Sequence, residues 1–173
     1  MKTFKDKVAV VTGAASGIGR GMVENFVEAG MKAVLADIDE ERLQKATNSF
    51  NKRGFDVIGI PTYVSKQDQI EALAKKTIDS YGAVHILCNN AGVSYTDRYM
   101  WEIPNVAWEW VLNVNLFGVI NGIRAFMPIM LNQNTECNIV NTASLAGLLC
   151  DSSNPLYGVS KHGVVILSEA LHA

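Results

Sequence analysis

An excess of charge of either sign is missing from this sequence: 15 lysines and arginines stand against 17 aspartates and glutamates, with the basic residues scattered. That distribution excludes the basic stripe by which a protein gathers nucleic acid or an anionic membrane surface, so no nucleic-acid partner is expected. A long apolar run is missing near the start, where residues 8–11 are too few for a signal-peptide core or a membrane span. The reading is of a soluble, cytoplasmic protein with no membrane partner. Cysteine is scarce, and Cys88, Cys137 and Cys150 form an odd set without a C-x-x-C pair. They fit neither a disulfide framework nor a zinc site, and all three are expected as reduced thiols. His85, His162 and His172 have no metal-ligand spacing, so no metal site is expected and the three read as structural or solvent-facing. Repeats, low-complexity tracts and interdomain linkers are absent too, which makes residues 1–173 one domain.

What is present is a globular composition, 49% hydrophobic and 18% charged, in a chain long enough to bury roughly 70% of its unfolded surface. Short β-branched runs at 8–11, 33–36, 57–60, 85–88 and 138–141 alternate with helical patterns at about 17–29, 40–53, 67–81 and 106–131. A last helix starts near Pro155 and still runs at Ala173. Alternation of this kind builds βαβ units, hence an α/β fold with a doubly wound parallel sheet in a three-layer α/β/α sandwich. Gly30 and Gly82 follow the last periodic residues of two helices, as a C-terminal cap with positive φ requires.

The first strand runs into Thr12-Gly13-Ala14-Ala15-Ser16-Gly17-Ile18-Gly19 and then a helix. Glycines there permit a tight turn and close approach of backbone to a pyrophosphate, while the N–H groups at the helix start face its charge. The spacing G-x-x-x-G-x-G is not G-x-G-x-x-G, and the missing Gly-Lys-Ser/Thr excludes a P-loop. A plain structural loop is the competing reading. Asp37 ends the second strand 18 residues after Gly19, near the offset at which a carboxylate accepts hydrogen bonds from an adenosine ribose. It could equally cap the helix that begins near Asp39 and Glu40. An acid there repels a 2′-phosphate and Ile38 follows it, so NAD is favoured over NADP, with Arg20 and Lys32 the cations that would reverse the preference by approaching in space.

Tyr157 and Lys161 are four apart on the last helix and share a face. A phenol with its usual pKa of about 10 is a poor acid and base at neutral pH, and a neighbouring ammonium stabilises the phenolate. Such a pair also arises by chance on a solvated face. Ser144, just after the last strand, stands where the carboxyl ends of parallel strands line a ligand crevice, and its hydroxyl is placed to hold a substrate oxygen beside Tyr157.

Taken together, TGAASGIG, Asn89-Asn90-Ala91-Gly92, Asn115, Ser144 and Tyr157-Gly158-Val159-Ser160-Lys161 resemble the short-chain dehydrogenase/reductase family in order and approximate spacing, from Lys7 to the last residue. The resemblance implies a Rossmann-like, NAD-binding catalytic domain that interconverts a secondary alcohol and a ketone. It implies Tyr157 as general acid/base, Lys161 on the nicotinamide ribose and tuning Tyr157, Ser144 polarising the carbonyl, and Asn115 supporting a water-linked proton relay. The cofactor site it implies comprises Gly13, Ser16, Gly17, Ile18, Gly19, Asp37, Tyr63, Val64, Asn90, Ala91, Gly92, Tyr157 and Lys161.

Two departures stand out. Tyr63-Val64 replaces the family's Asp-Val after the third strand, so adenine would meet a phenol that stacks or hydrogen-bonds. The sequence also lacks the strands, nicotinamide loop and lid that follow the last helix in the family. The expectation is a C-terminally incomplete domain, missing the last strands of the family fold. It would have an open sheet edge and exposed apolar surface, and be aggregation-prone or in need of a partner. The complete protein is expected as a homodimer or homotetramer through its long helix and the Tyr157 helix. The alternative function is an inactive nucleotide-binding or assembly module. Leu145, Ala146, Leu148, Leu149, Val93, Tyr95 and Trp101 read equally as an apolar substrate pocket or as packing, whereas Trp108, Trp110, Met127 and Met130 read as core or interface.

Overall fold

A computed structural model describes residues 3–95, 99–149 and 152–172. Five strands, β1 (Val8–Thr12), β2 (Lys32–Asp37), β3 (Val57–Pro61), β4 (Ile86–Asn89) and β5 (Asn138–Asn141), alternate with helices α1 (Gly17–Glu28), α2 (Glu40–Lys52), α3 (Gln67–Tyr81), α4 (Asn105–Leu112), α5 (Gly118–Asn132) and α6 (Pro155–His172). The strands pair in the order β3-β2-β1-β4-β5, and every pairing is parallel. This is the expected doubly wound sheet. The fourth strand begins one residue later than the sequence suggests, although His85 still bonds Val8 and Asn138 through its backbone.

Successive side chains on a strand point to opposite faces, and this sorts the core into two layers. Ala9, Val11, Ala33 and Leu35 pack with Val23 and Val27 of α1 and Leu43, Ala46 and Phe50 of α2. Val10, Val34 and Leu87 pack on the other face with Ile70 and Leu73 of α3 and Phe126 and Met130 of α5. A smaller cluster of Ile103, Ala107, Val111 and Leu156 ties α4 to the start of α6, with Val93, Tyr95 and Trp108 against it.

The helical stretch expected from 106 to 131 is divided: residues Asn113–Phe117 form a π turn between α4 and α5. By length and composition Asn105–Asn132 would suffice to cross a membrane; here it lays Val119, Phe126 and Met130 into the core. Gly30 and Gly82 do adopt positive φ, at 87° and 74°, and Gly54 does the same after α2. Cys88 and Cys137 are free thiols, and Cys150 lies outside the described residues. His85 is buried and structural, whereas His162 and His172 are exposed.

Candidate functional site

The turn after β1 is built by steric necessity. Gly13 and Gly17 have φ of 65° and 53°, and a Cβ on Gly19 would stand 2.2 Å from the Gly13 carbonyl oxygen. Ser16 is the N-cap of α1 in position only: its side chain makes no capping bond, and the first turn carries no acidic residue. The first-turn N–H groups of α1 are therefore left without a capping side chain, at a place open to an anion. Helix α2 is treated differently, with Asp39 accepting the Arg42 N–H at 3.0 Å and Glu40 and Glu41 in its first turn.

Asp39, not Asp37, is thus the cap of α2. Asp37 instead bridges: Oδ2 accepts the Ala15 N–H at 2.9 Å and Oδ1 the Asp39 N–H at 3.1 Å. These two bonds fix its carboxylate beside the glycine turn. Thr12 Oγ1 accepts the N–H groups of Asn90 and Ala91 at 2.9 and 3.1 Å, and Asn90 Nδ2 donates to the Thr12 carbonyl at 2.9 Å. The end of β4 is so tied to the end of β1.

These ends enclose a cavity of about 520 Å³ lined by Gly13, Ser16, Gly17, Ile18, Gly19, Asp37, Tyr63, Val64, Asn90, Ala91 and Gly92, which brings together these members of the expected cofactor set, whereas Tyr157 and Lys161 are not among its lining residues. Ile38, Thr62, Ser65, Val93, Trp110 and Val114 complete it. Trp110, half exposed, is not core and faces this cavity from α4. Its signal was available, since four-residue spacing puts Trp110 and Val114 on one helical face next to Asn115. Of the two cations that would favour a 2′-phosphate, Lys32 stands at the opposite end of β2 from Asp37 and pairs with Asp56 at 3.3 Å, while the exposed Arg20 has its guanidinium 5.9 Å from the Phe50 ring centroid.

A second group stands beside the Asn90 to Gly92 wall. Lys161 is buried, donates from Nζ to the Thr142 carbonyl at 2.7 Å, and lies 5.6 Å from the Tyr157 ring centroid. Its Nζ is 3.8 Å from the point a Cβ on Gly92 would occupy, which sets it next to the cavity wall. Burial pushes the Lys161 ammonium below the usual lysine range. Asn115, fully buried in the π turn, accepts the Val93 N–H at 2.8 Å and donates to the Val93 carbonyl at 2.9 Å and to Ser160 Oγ at 3.0 Å. Ser160 Oγ donates in turn to the Tyr157 carbonyl at 2.7 Å. Every polar atom of the Asn115 side chain is engaged, so it clamps the loop after β4 to α6.

Ser144 is half-buried and caps the short turn Leu145–Gly147, accepting the Ala146 N–H at 3.2 Å. Among the described residues no hydrogen bond joins Ser144 to Tyr157. Gly147 brings that turn against α6, since a Cβ there would meet the Lys161 carbonyl oxygen at 2.7 Å. Val93 and Tyr95 pack on the α4 cluster, Val93 also facing the cavity. Leu145, Leu148 and Leu149 are exposed, and Trp101 is exposed and stacked on Tyr99.

A parallel sheet in the order 3-2-1-4-5, with a glycine turn on its first helix and an acid at the end of its second strand, defines a nucleotide-binding α/β protein. The sequence model of the short chain dehydrogenase family matches residues 7–173, and the chain belongs to that family of oxidoreductases. It is 36% identical over 98% of its length to the CLA biosynthesis dehydrogenase/reductase of Lactiplantibacillus plantarum, of which it covers 59%. It is 32% identical to the 1-deoxy-11-beta-hydroxypentalenate dehydrogenase of Streptomyces exfoliatus, covering 98% of this chain and 62% of that one. The crystal structure of a short chain dehydrogenase/reductase from Burkholderia phymatum in complex with NAD superposes with a TM-score of 0.97, at 48% identity, over 99% of this chain and 60% of that one. The chain thus spans about 60% of the length of these relatives.

Proposed function

We propose that this is an NAD-dependent oxidoreductase that interconverts a secondary alcohol and a ketone, with NAD preferred to NADP. The observation that carries the reading is the buried Lys161 ammonium between the Gly92 wall of the cavity and the Tyr157 ring. The cavity fits the cofactor: an uncapped helix start for the diphosphate, a fixed Asp37 carboxylate for a ribose, and Lys32 paired with Asp56 at the far end of β2. When bound, the cofactor would supply the acceptor for a hydride leaving the alcohol carbon in the oxidised form and the donor of one to the ketone carbon in the reduced form.

Tyr157 takes the hydroxyl proton during oxidation and gives it back to the carbonyl oxygen during reduction. Lys161 supplies the positive charge beside that phenol and reaches the nicotinamide ribose. Ser144 exchanges its bond to Ala146 for one to the substrate oxygen and polarises it. The Asn115 side chain is occupied, so its part in a water-linked proton relay falls to the main chain of the π turn. The substrate is a small alcohol or ketone, and the protein acts in the cytoplasm. It assembles as a homodimer or homotetramer, for which exposed Phe117 at the end of the π turn, Leu131 on α5 and Ile166 on α6 supply apolar surface.

In the full-length protein, Tyr157→Phe should lower turnover by about 10²- to 10⁴-fold, the span attributable to general acid–base catalysis, with NADH affinity retained. Unchanged turnover overturns the mechanism. The coverage of about 60% of the relatives' length favours one second reading, in which residues 1–173 bind nucleotide without turnover. Assaying the 173-residue chain after NADH titration separates the two, because robust catalysis rejects the module.

A further inference from the structure

Serine is a mediocre helix former, and inside a helix its hydroxyl competes for the backbone. Ser160 is nevertheless fully buried in the second turn of α6, directly before Lys161. Its Oγ donates to the Tyr157 carbonyl at 2.7 Å, one turn back, and accepts the Asn115 Nδ2 at 3.0 Å. Among the described residues the second of these is the hydrogen bond that joins α6 to the π turn. Gly163, three residues on and so on the same face, lets the two approach, since a Cβ there would stand 2.8 Å from Leu116 Cδ1.

Alanine would occupy the Ser160 site with less bulk and a better helix propensity. What the hydroxyl adds is direction. An apolar contact such as Leu116 against Gly163 is non-directional, whereas a hydrogen bond weakens steeply once its angle is lost. The bond to Asn115 therefore resists rotation of α6 about its own axis, and Asn115 is itself held at both main-chain groups of Val93. Side-chain ends stand about 5–6 Å from a helix axis, so a turn of about 10° carries them about 1 Å. Lys161 is the next residue along, and its Nζ reaches from the Thr142 carbonyl, at 2.7 Å, to the Gly92 wall of the cavity.

We infer that Ser160 is a positioning residue: bonded to Asn115 of the π turn, it fixes the rotation of α6 and so aims the Lys161 ammonium at the nicotinamide-side ribose of the cofactor. This rests on the NAD reading above and adds to it a residue that touches neither cofactor nor substrate. Removing the hydroxyl leaves the glycine turn and Asp37 as they are, so the adenosine and diphosphate end of the cofactor is bound as before. The loss falls on the ribose beside Lys161.

The test is calorimetric titration of the 173-residue chain with ADP and with ADP-ribose, which carries the second ribose that ADP lacks. The readout is the ratio of the two affinities, because a variant that is merely less folded loses both in parallel. Lys161→Ala should lower the ADP-ribose to ADP ratio by about tenfold, the scale of one hydrogen bond to a charged group. Ser160→Ala should lower it by about three- to tenfold with ADP binding retained, a misaimed bond losing part or all of that amount. The double variant should fall no further than Lys161→Ala, since Ser160 acts through Lys161. Circular dichroism checks that the variants are folded. An unchanged ratio in Ser160→Ala, parallel loss of both ligands, or additive losses in the double variant overturns the inference and leaves the NAD reading standing. A ratio unmoved by Lys161→Ala removes the ribose contact from that reading and the inference with it. Failure of the parent chain to bind ADP-ribose overturns both.

Discussion

Gly19 is a residue whose absence of side chain carries the turn. Gly19→Ala would force a methyl to 2.2 Å from the Gly13 carbonyl oxygen, and backbone cannot swing aside as a flexible side chain can. The substitution should cost about 1–3 kcal/mol, the usual range for overpacking, and abolish nucleotide binding. Denaturant titration and calorimetry check the two parts, and a parent-like variant would contradict the geometry. Asn115→Ala acts through other groups: it strands the Val93 N–H and carbonyl, and with buried unsatisfied groups at about 1–3 kcal/mol each it should cost at least about 2 kcal/mol. Denaturant midpoints measure this, and a loss well under that value would mean the clamp is dispensable. At this scale the sequence was legible where chemistry is local. Gly13, Gly17, Gly19 and the Tyr157–Lys161 spacing could be read directly, whereas the partners of Asn115 lie 22 and 45 residues away and had no sequence signal.

Between elements, His85 joins β4 to β1, the Val8 N–H donating to its Nδ1 at 3.1 Å. The acceptor role requires a neutral ring with its proton on Nε2. Burial first, and the charge of Lys7 second, lower its pKa. An unfolded histidine takes a proton near pH 6.5, so below about that pH the unfolded chain binds more protons than the fold. The stability contribution is therefore complete above about pH 6.5 and declines as the pH falls towards the folded-state value, by at most about 1.4 kcal/mol per pH unit. Denaturation of the parent and His85→Asn at pH 8 and pH 5 should show the smaller pH dependence in the variant; equal dependences would assign the effect elsewhere. Element order and type were legible because periodicity is local. The π turn was not: Asn113, Asn115 and Gly118 interrupt the pattern, but its form follows from seating Asn115 against Val93 and Ser160.

Over the molecule as a whole, β5 is the terminal strand of the sheet, and Val140 on it, Phe117 in the π turn, Leu131 on α5 and Ile166 on α6 are exposed. An open edge beside apolar surface invites association. The 173-residue chain should sediment above monomer mass at high concentration and bind a hydrophobic dye, and Val140→Lys, which charges the edge, should reduce both. A dye-silent monomer at all concentrations would contradict this. What the sequence alone determined is the alternation of strands and helices, the glycine turn and the helical spacing of Tyr157 and Lys161, because each depends on residues within a turn or two of one another. Only the tertiary structure decided that Asp37 holds the Ala15 N–H, that Lys161 is buried against Thr142, and that Trp110 joins Tyr63 at one cavity. Those neighbours are set by strand order and helix docking, which bring together residues that no local pattern relates.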